Sequence, residues 1–178
     1  RRMNIFMTGG TGFVGTTLAR ELTAKGHAVT VLMRKGEPSR HLPAGVRALQ
    51  GDPTVRGAWQ EQVPDHEVFI NLAGASIFTR WTDEAKRIIR DSRILTTRHL
   101  VEALAPRKGK ETHLLSTSGA GYYGYHGDED LTEDSPPGTD FLALLSREWE
   151  AEALRAREHG ARVVLMRFGI VMGRSGGM

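Results

Sequence analysis

A glycine-rich turn between a short apolar strand and a helix constrains this chain more than any other feature. Ile5, Phe6 and Met7 form an apolar run of the kind buried on both faces of a parallel sheet. Thr8 leads into Gly9-Gly10-Thr11-Gly12-Phe13-Val14-Gly15, and Leu18 and Leu22 follow on one helical face. The predicted order is therefore strand, tight turn, helix. Gly9 and Gly12 permit a sharp turn and a close approach to a bulky anion, and Gly15 lets the helix lie near the strand. Free N–H groups and the positive dipole end at the helix start favour a pyrophosphate there. The spacing is GxxGxxG rather than GxGxxG. Its weight comes from its place at the first strand–helix junction of a βαβ pattern.

The rest of the chain extends that pattern. Gly26 stops the first helix, and Ala28–Met33 reads as a second strand. Arg34 and Lys35 stand at its end, where a dinucleotide fold would set an acidic residue on the adenine ribose. Basic residues there favour a 2′-phosphate, hence NADP over NAD. Glu37–Gly45 reads as loop and Val46–Gln50 as a short third strand. Gly51-Asp52-Pro53 is a turn, with Asp52 capping a short helix that carries Trp59 and Val63. Val68–Leu72 is a fourth strand running into Ala73-Gly74, small residues that leave room for a ligand. Thr82 caps a long helix reaching Leu104. Its stripes, Ile88-Ser92-Leu95-His99 and Ile94-Thr97-Val101-Leu104, suggest packing on the sheet and on another subunit. Thr112–Ser116 is a fifth strand, and Thr117–Thr139 is a long loop of the kind that carries function. Asp140–His159 is a helix stopped by Gly160, and Arg162–Phe168 is a sixth strand before the glycine-rich stretch Gly169–Met178. This alternation predicts an α/β fold, a doubly wound parallel sheet within one domain.

Several function classes are excluded on composition. The net charge is only +3 and the basic residues are scattered, so neither nucleic acid nor a membrane surface is an expected partner. No apolar run approaches a membrane span, and Arg1-Arg2 is too short for a leader. The absence of cysteine removes thiolate chemistry and suits a cytoplasmic setting. No histidine pair has metal-ligand spacing, and Asp128-Glu129-Asp130 reads as a solvated turn, so no metal is expected.

Taken together, these residues resemble the extended short-chain dehydrogenases/reductases. Gly9–Gly15 matches that family's nucleotide loop and Asn71-Leu72-Ala73-Gly74 its fourth-strand motif. Within it, the chain is similar to the atypical YfcH-like branch, related to sugar-nucleotide epimerases. That match runs through Gly51-Asp52-Pro53, the stretch Asn71–Leu104, Ser116-Thr117-Ser118 and Tyr122-Tyr123-Gly124. The resemblance implies a Rossmann-type NAD(P)-binding domain over residues 1–178. Its nucleotide contacts would come from Thr8 through Gly15, Arg34, Lys35, Asp52, Leu72, Ala73, Gly74 and Ser116. Such proteins run to roughly 300 residues, so a smaller C-terminal substrate domain is expected mostly beyond Met178. It also implies a homodimer through the helices at Thr82–Leu104 and Asp140–His159.

Catalytic members of this family use a Ser or Thr with a Tyr placed four residues before a Lys on one helix. Ser118, or Ser116 in a shifted alignment, offers the hydroxyl, or else simply satisfies strand-end backbone. The Tyr-xxx-Lys pair is missing: Leu145 and Trp149 hold that spacing, and no lysine occurs from Glu111 to Met178. Tyr122 is the substitute proton donor, and Tyr123, before Gly124, packs near the cofactor. Arg80 and Trp81 can reach a substrate, although Arg80 reads equally as solvent-facing; His126 is either an acid/base group or merely exposed. The expected activity is an NADP-dependent oxidoreductase or nucleotide-sugar epimerase-like enzyme acting on a nucleotide sugar or carbonyl compound. The alternative is an NADP(H)-binding sensor or scaffold without catalysis.

Overall fold

Apolar runs too short to span anything but a buried strand assemble, in the computed structural model, into one parallel sheet. Residues 1–37, 42–173 and 176–177 are described. The strands are β1 (Asn4–Thr8), β2 (Ala28–Met33), β3 (Arg47–Gln50), β4 (Val68–Asn71), β5 (His113–Gly119) and β6 (Arg162–Phe168), in the order β3-β2-β1-β4-β5-β6. Phe6 stands opposite both Thr30 and Phe69, so β1 is a central strand. Strand order reverses between β1 and β4, which opens a crevice at the carboxyl ends of those two strands.

Alternate side chains of β1 feed two cores. Ile5 and Met7 join Val29, Val31, Val68 and Ile70 beneath Ala19 of α1 (Phe13–Ala24). Phe6 joins Phe69, Trp59, Val63 and Leu114 beneath Leu100 of α2 (Asp83–Glu102) and Ala153 of α3 (Phe141–Leu154). Helices therefore cover both faces, as expected for a doubly wound sheet. A third cluster, Ile89, Ile94, Leu145 and Trp149, locks α2 to α3.

Several local expectations are revised. β5 continues to Gly119 because Thr117–Gly119 pair with Met166–Phe168. A 3-10 turn, Ala120–Tyr123, follows, so the long loop begins only at Gly124. Ser116 and Ser118 are buried inward residues of a strand whose polarity imitates a loop. The segment after the third strand is a 3-10 helix, Ala58–Asp65, interrupted by Pro64. Asp52 does not cap it; its Oδ1 accepts from the Thr54 amide and hydroxyl in a local turn. The inner face of α2 carries Ile89, Ile94, Leu100 and Val101, whereas Ile88 is exposed. The last helix changes to 3-10 geometry over Arg155–His159 before Gly160, whose φ is +80°. A two-residue ladder, Met172–Gly173 with Gly176–Gly177, follows β6. Residues 38–41 of the expected loop, and 174, 175 and 178 of the glycine-rich end, lie outside the described residues. Among the described residues no helix is long and apolar enough to cross a membrane.

Candidate functional site: a crevice at the strand ends

The glycine turn closes against the end of β4. Gly9 has φ +68°, and a side chain there would meet the Leu72 carbonyl carbon at 2.6 Å. A side chain at Gly15 would lie 2.2 Å from the Gly9 carbonyl oxygen, and one at Gly10 would strike Val31 at 2.6 Å. These three glycines are dictated by packing. Gly12 differs: it is exposed, extended at φ −78°, and a side chain there would meet only the Gly9 oxygen, at 3.3 Å. Gly12 also caps α1, with no side-chain cap and no acidic residue in the first turn. The positive end of α1 is thus left open to an anion, as a pyrophosphate requires.

Two hollows flank this turn. One, of about 600 Å³, is lined by Arg34, Lys35, Gln50, Gly51 and Asp52 at the ends of β2 and β3. Arg34 Nε donates to Glu37 Oε1 at 2.8 Å, and Thr11 Oγ1 donates to Glu37 Oε2 at 3.3 Å. Glu37 therefore ties the basic corner to the glycine turn. The other hollow is a cleft of about 500 Å³ bounded by Phe13 and Val14 of the turn, Leu72 and Gly74 after β4, Ser118 of β5 and Trp149 of α3.

Ser118 reaches that cleft already engaged. Its hydroxyl donates to Glu150 Oε1 at 2.6 Å. Arg167 grips the same carboxylate with Nε at 2.8 Å and Nη2 at 2.9 Å. The remaining Arg167 nitrogen donates to Tyr123 Oη and to the Glu133 carbonyl, both at 2.9 Å. The Tyr122 ring lies 3.6 Å from the guanidinium carbon. Donation to the Glu150 carboxylate holds the Arg167 pKa well above its usual range. A hydroxyl has one proton, so Ser118 offers the cleft only its lone pairs.

Beneath the cleft runs a second polar chain. Thr8 Oγ1 donates to Asn71 Oδ1 at 2.6 Å, and Asn71 Nδ2 donates to Thr97 Oγ1 at 2.8 Å and Ser116 Oγ at 3.1 Å. Trp149 Nε1 donates to Thr97 Oγ1 at 2.9 Å. Thr8 and Ser116 are fully buried and hold the ends of β1, β4 and β5 in register. Leu145 and Trp149, in the Tyr-xxx-Lys positions, line the cleft as apolar walls.

The structure thus brings Gly9–Gly15, Leu72, Gly74 and Ser118 to one crevice and sets Arg34, Lys35 and Asp52 beside it. Ala73 offers its amide to Thr8 Oγ1 at 3.4 Å. Arg80 and Trp81 sit on the outer loop, where Trp81 donates to the Ile77 carbonyl at 2.9 Å and packs edge-on against Phe141. Ile77 and Phe78 of the same loop line the cleft. His126 is turned back on Glu129 and the Tyr123 carbonyl, 2.7 Å from each. Glu37, Arg93, Glu150 and Arg167 are site residues that none of the sequence motifs marks. Two of these carried a signal. Glu150 shares the buried stripe of Ser146, Trp149 and Ala153, and Arg167 shares the strand parity of Val163 and Leu165. A charge in phase with an apolar face asks for a buried partner.

Residues 5–177 match the NAD dependent epimerase/dehydratase family. The chain is 38% identical over 184 residues to the Arabidopsis thaliana protein described as epimerase family protein SDR39U1 homolog, chloroplastic, covering 99% of this chain and 51% of that one. It is 40% identical over 179 residues to the Bacillus subtilis epimerase family protein YfhF, covering 99% of this chain and 57% of that one. The chain thus spans about half the length of these relatives. Among solved structures, the Corynebacterium glutamicum nucleoside-diphosphate sugar epimerase superposes with a TM-score of 0.81 at 35% identity, over 100% of this chain and 36% of that one. Human epimerase family protein SDR39U1 (isoform 2), solved with NADPH, superposes with a TM-score of 0.80 at 32% identity, over 98% of this chain and 56% of that one.

Proposed function

Because the chain belongs to the NAD dependent epimerase/dehydratase family, we propose that it binds NADP(H) across the crevice and serves an oxidoreductase or nucleotide-sugar epimerase-like enzyme that lacks the Tyr-xxx-Lys pair. One observation carries the reading: the uncapped start of α1 and the basic corner of Arg34 and Lys35 flank the same turn. The NADPH-bound human relative supports it.

When bound, the dinucleotide supplies or accepts a hydride at its nicotinamide ring. Gly12 and the first amides of α1 hold the pyrophosphate. Arg34 and Lys35 pair with the 2′-phosphate, and Glu37 aims Arg34. Phe13, Val14, Leu72, Leu145 and Trp149 give the cleft apolar walls on which the nicotinamide end of the cofactor would rest. Ser118 accepts a hydrogen bond from a substrate hydroxyl. Tyr122 and Tyr123, gathered on Arg167, are the groups with a proton to give. Pairing of two copies through α2 and α3 belongs to the same reading; Ile88 and Leu144 stand exposed on those helices.

Fluorescence titration with NADPH and NADH tests the cofactor. NADPH binds more tightly, and Arg34→Asp weakens it about tenfold or more while sparing NADH. Equal affinities, or an indifferent Arg34→Asp, would overturn the choice of NADP. The proton of Ser118, already given to Glu150, and the inert Leu145 and Trp149 also favour a second reading, a binding protein without turnover. Bound NADPH that no nucleotide sugar or carbonyl compound oxidises would select it.

A further inference from the structure

We infer that Arg93 is an anion receptor and that the cleft takes a substrate bearing a carboxylate beside the dinucleotide. This rests on the nucleotide-site reading above and deepens it.

Arg93 projects from α2 and lines the cleft. Its Nη1 donates to the Ile89 carbonyl at 2.9 Å and the Ala75 carbonyl at 3.0 Å. Among the described residues, its Nε and Nη2 have no acceptor and no carboxylate pairs with it. Arg87 and Arg147 of α2 and α3 are exposed to solvent, and the other less exposed arginines packed around the cleft have carboxylates. Arg90 pairs with Glu148, Arg98 with Glu152 and Arg167 with Glu150. Arg107, buried without a carboxylate, engages three nitrogens: Nε on Thr112 Oγ1 at 2.9 Å, Nη1 on the Pro64 carbonyl at 2.8 Å and Nη2 on the Glu111 carbonyl at 2.5 Å. Arg93 alone in this comparison keeps one edge of its guanidinium, Nε with Nη2, without a partner.

The group is held rather than loose. A side chain at Gly74 would lie 2.9 Å from Arg93 Cζ, so the absence of one is what lets the guanidinium in. The Trp149 ring centroid is 5.2 Å from Cζ. Burial lowers the Arg93 pKa to about 10, which leaves it cationic at neutral pH. This fixed cation keeps a free fork in a cleft whose walls are mostly apolar, Ile77, Phe78, Leu142 and Leu145 among them, and whose Ser118 proton is committed to Glu150. A carboxylate docked on Nε and Nη2 supplies both the charge and the planar two-point geometry that the fork matches. The apolar walls leave the rest of such a ligand an apolar or ring-shaped body.

Benzoate and its neutral isostere benzamide are the probes, applied to the chain with and without NADPH. The readouts are the Arg93 Nε–Hε resonance and the dissociation constants. Benzoate shifts that resonance and binds about tenfold or more tightly than benzamide. Arg93→Gln removes the preference, Arg93→Lys retains part of it, and both leave NADPH affinity unchanged. Equal binding of the two probes to the wild-type chain overturns the proposal, as does an Arg93→Gln variant that still prefers benzoate. A loss of NADPH affinity in Arg93→Gln assigns the cation to the dinucleotide and also overturns it. A wild-type chain that discriminates benzoate yet binds no NADPH keeps the receptor and removes the nucleotide reading.

Discussion

Gly12 and Gly15 are interchangeable on paper and unlike in the fold. Gly15→Ala drives a methyl to 2.2 Å from a backbone oxygen, which neither helix nor turn can yield without moving the other. It is expected to destabilise the chain by about 3 kcal/mol, read as a lower urea midpoint. Gly12→Ala meets one oxygen at 3.3 Å, so the midpoint hardly moves while NADPH affinity falls. If both substitutions were to unfold the chain alike, Gly12 would be a packing glycine and the open cradle would be wrong. The turn was legible in the sequence because glycine is itself the signal. What sequence alone could not divide was the labour among the glycines, since that depends on Leu72 and Val31, which arrive from other strands. Arg93 was invisible for a related reason. In a helix with so many arginines, nothing local marks the one that turns inward without an acid.

At the scale of elements, Glu150 joins α3 to β6. Its carboxylate takes two bonds from Arg167 and one from Ser118, so it links three elements through one buried group. Glu150→Gln keeps the shape and removes the charge, leaving the half-buried Arg167 without its counterion. A loss of about 1.5–3 kcal/mol is expected, and thermal unfolding checks it. Replacing Glu150 and Arg167 together by Met and Leu should cost far less, because no lone charge is left behind. The strands and helices themselves were legible from apolar runs, Thr82 and Asp140 included, both of which cap their helices through side-chain oxygens. The end of β5 was not. Ser-Thr-Ser-Gly carries no apolar alternation, and its strand geometry comes from β6, more than forty residues downstream. Of the two stripes read on α2, Ile94-Thr97-Val101-Leu104 is buried throughout, whereas in the mixed stripe Ile88 is exposed and its neighbour Ile89 packs against α3 instead.

Across the whole molecule, one buried histidine makes stability depend on pH, through its bonds between β2 and the 3-10 helix Ala58–Asp65. His66 Nδ1–H donates to the Gln62 and Val63 carbonyls, so the neutral Nε2, 2.9 Å away, accepts the Thr30 hydroxyl. Desolvation lowers its pKa below 6.5. The unfolded chain then binds the proton more readily, so stability is full above about pH 6.5 and is lost as pH falls through the depressed folded value. His126 is shifted upward by Glu129 and has the opposite sign, but it is fully exposed and screened. Urea midpoints between about pH 7.5 and 5.5 should fall for the wild-type chain and stay flatter for His66→Gln; parallel curves would remove His66 as the cause. The doubly wound plan, with its reversal of strand order beside β1, was readable from the alternation of strands and helices and from the family resemblance. That reversal also governs how the chain is made. Phe6 waits for Phe69 and Thr8 for Asn71, so the middle of the sheet is translated long before one of its neighbours. At about 5–20 residues per second, roughly 3–12 s separate their emergence from the ribosome. Throughout that interval Ile5, Phe6 and Met7 can bury only one edge, against β2. The nascent chain therefore carries an unpaired apolar strand edge until β4 is synthesised.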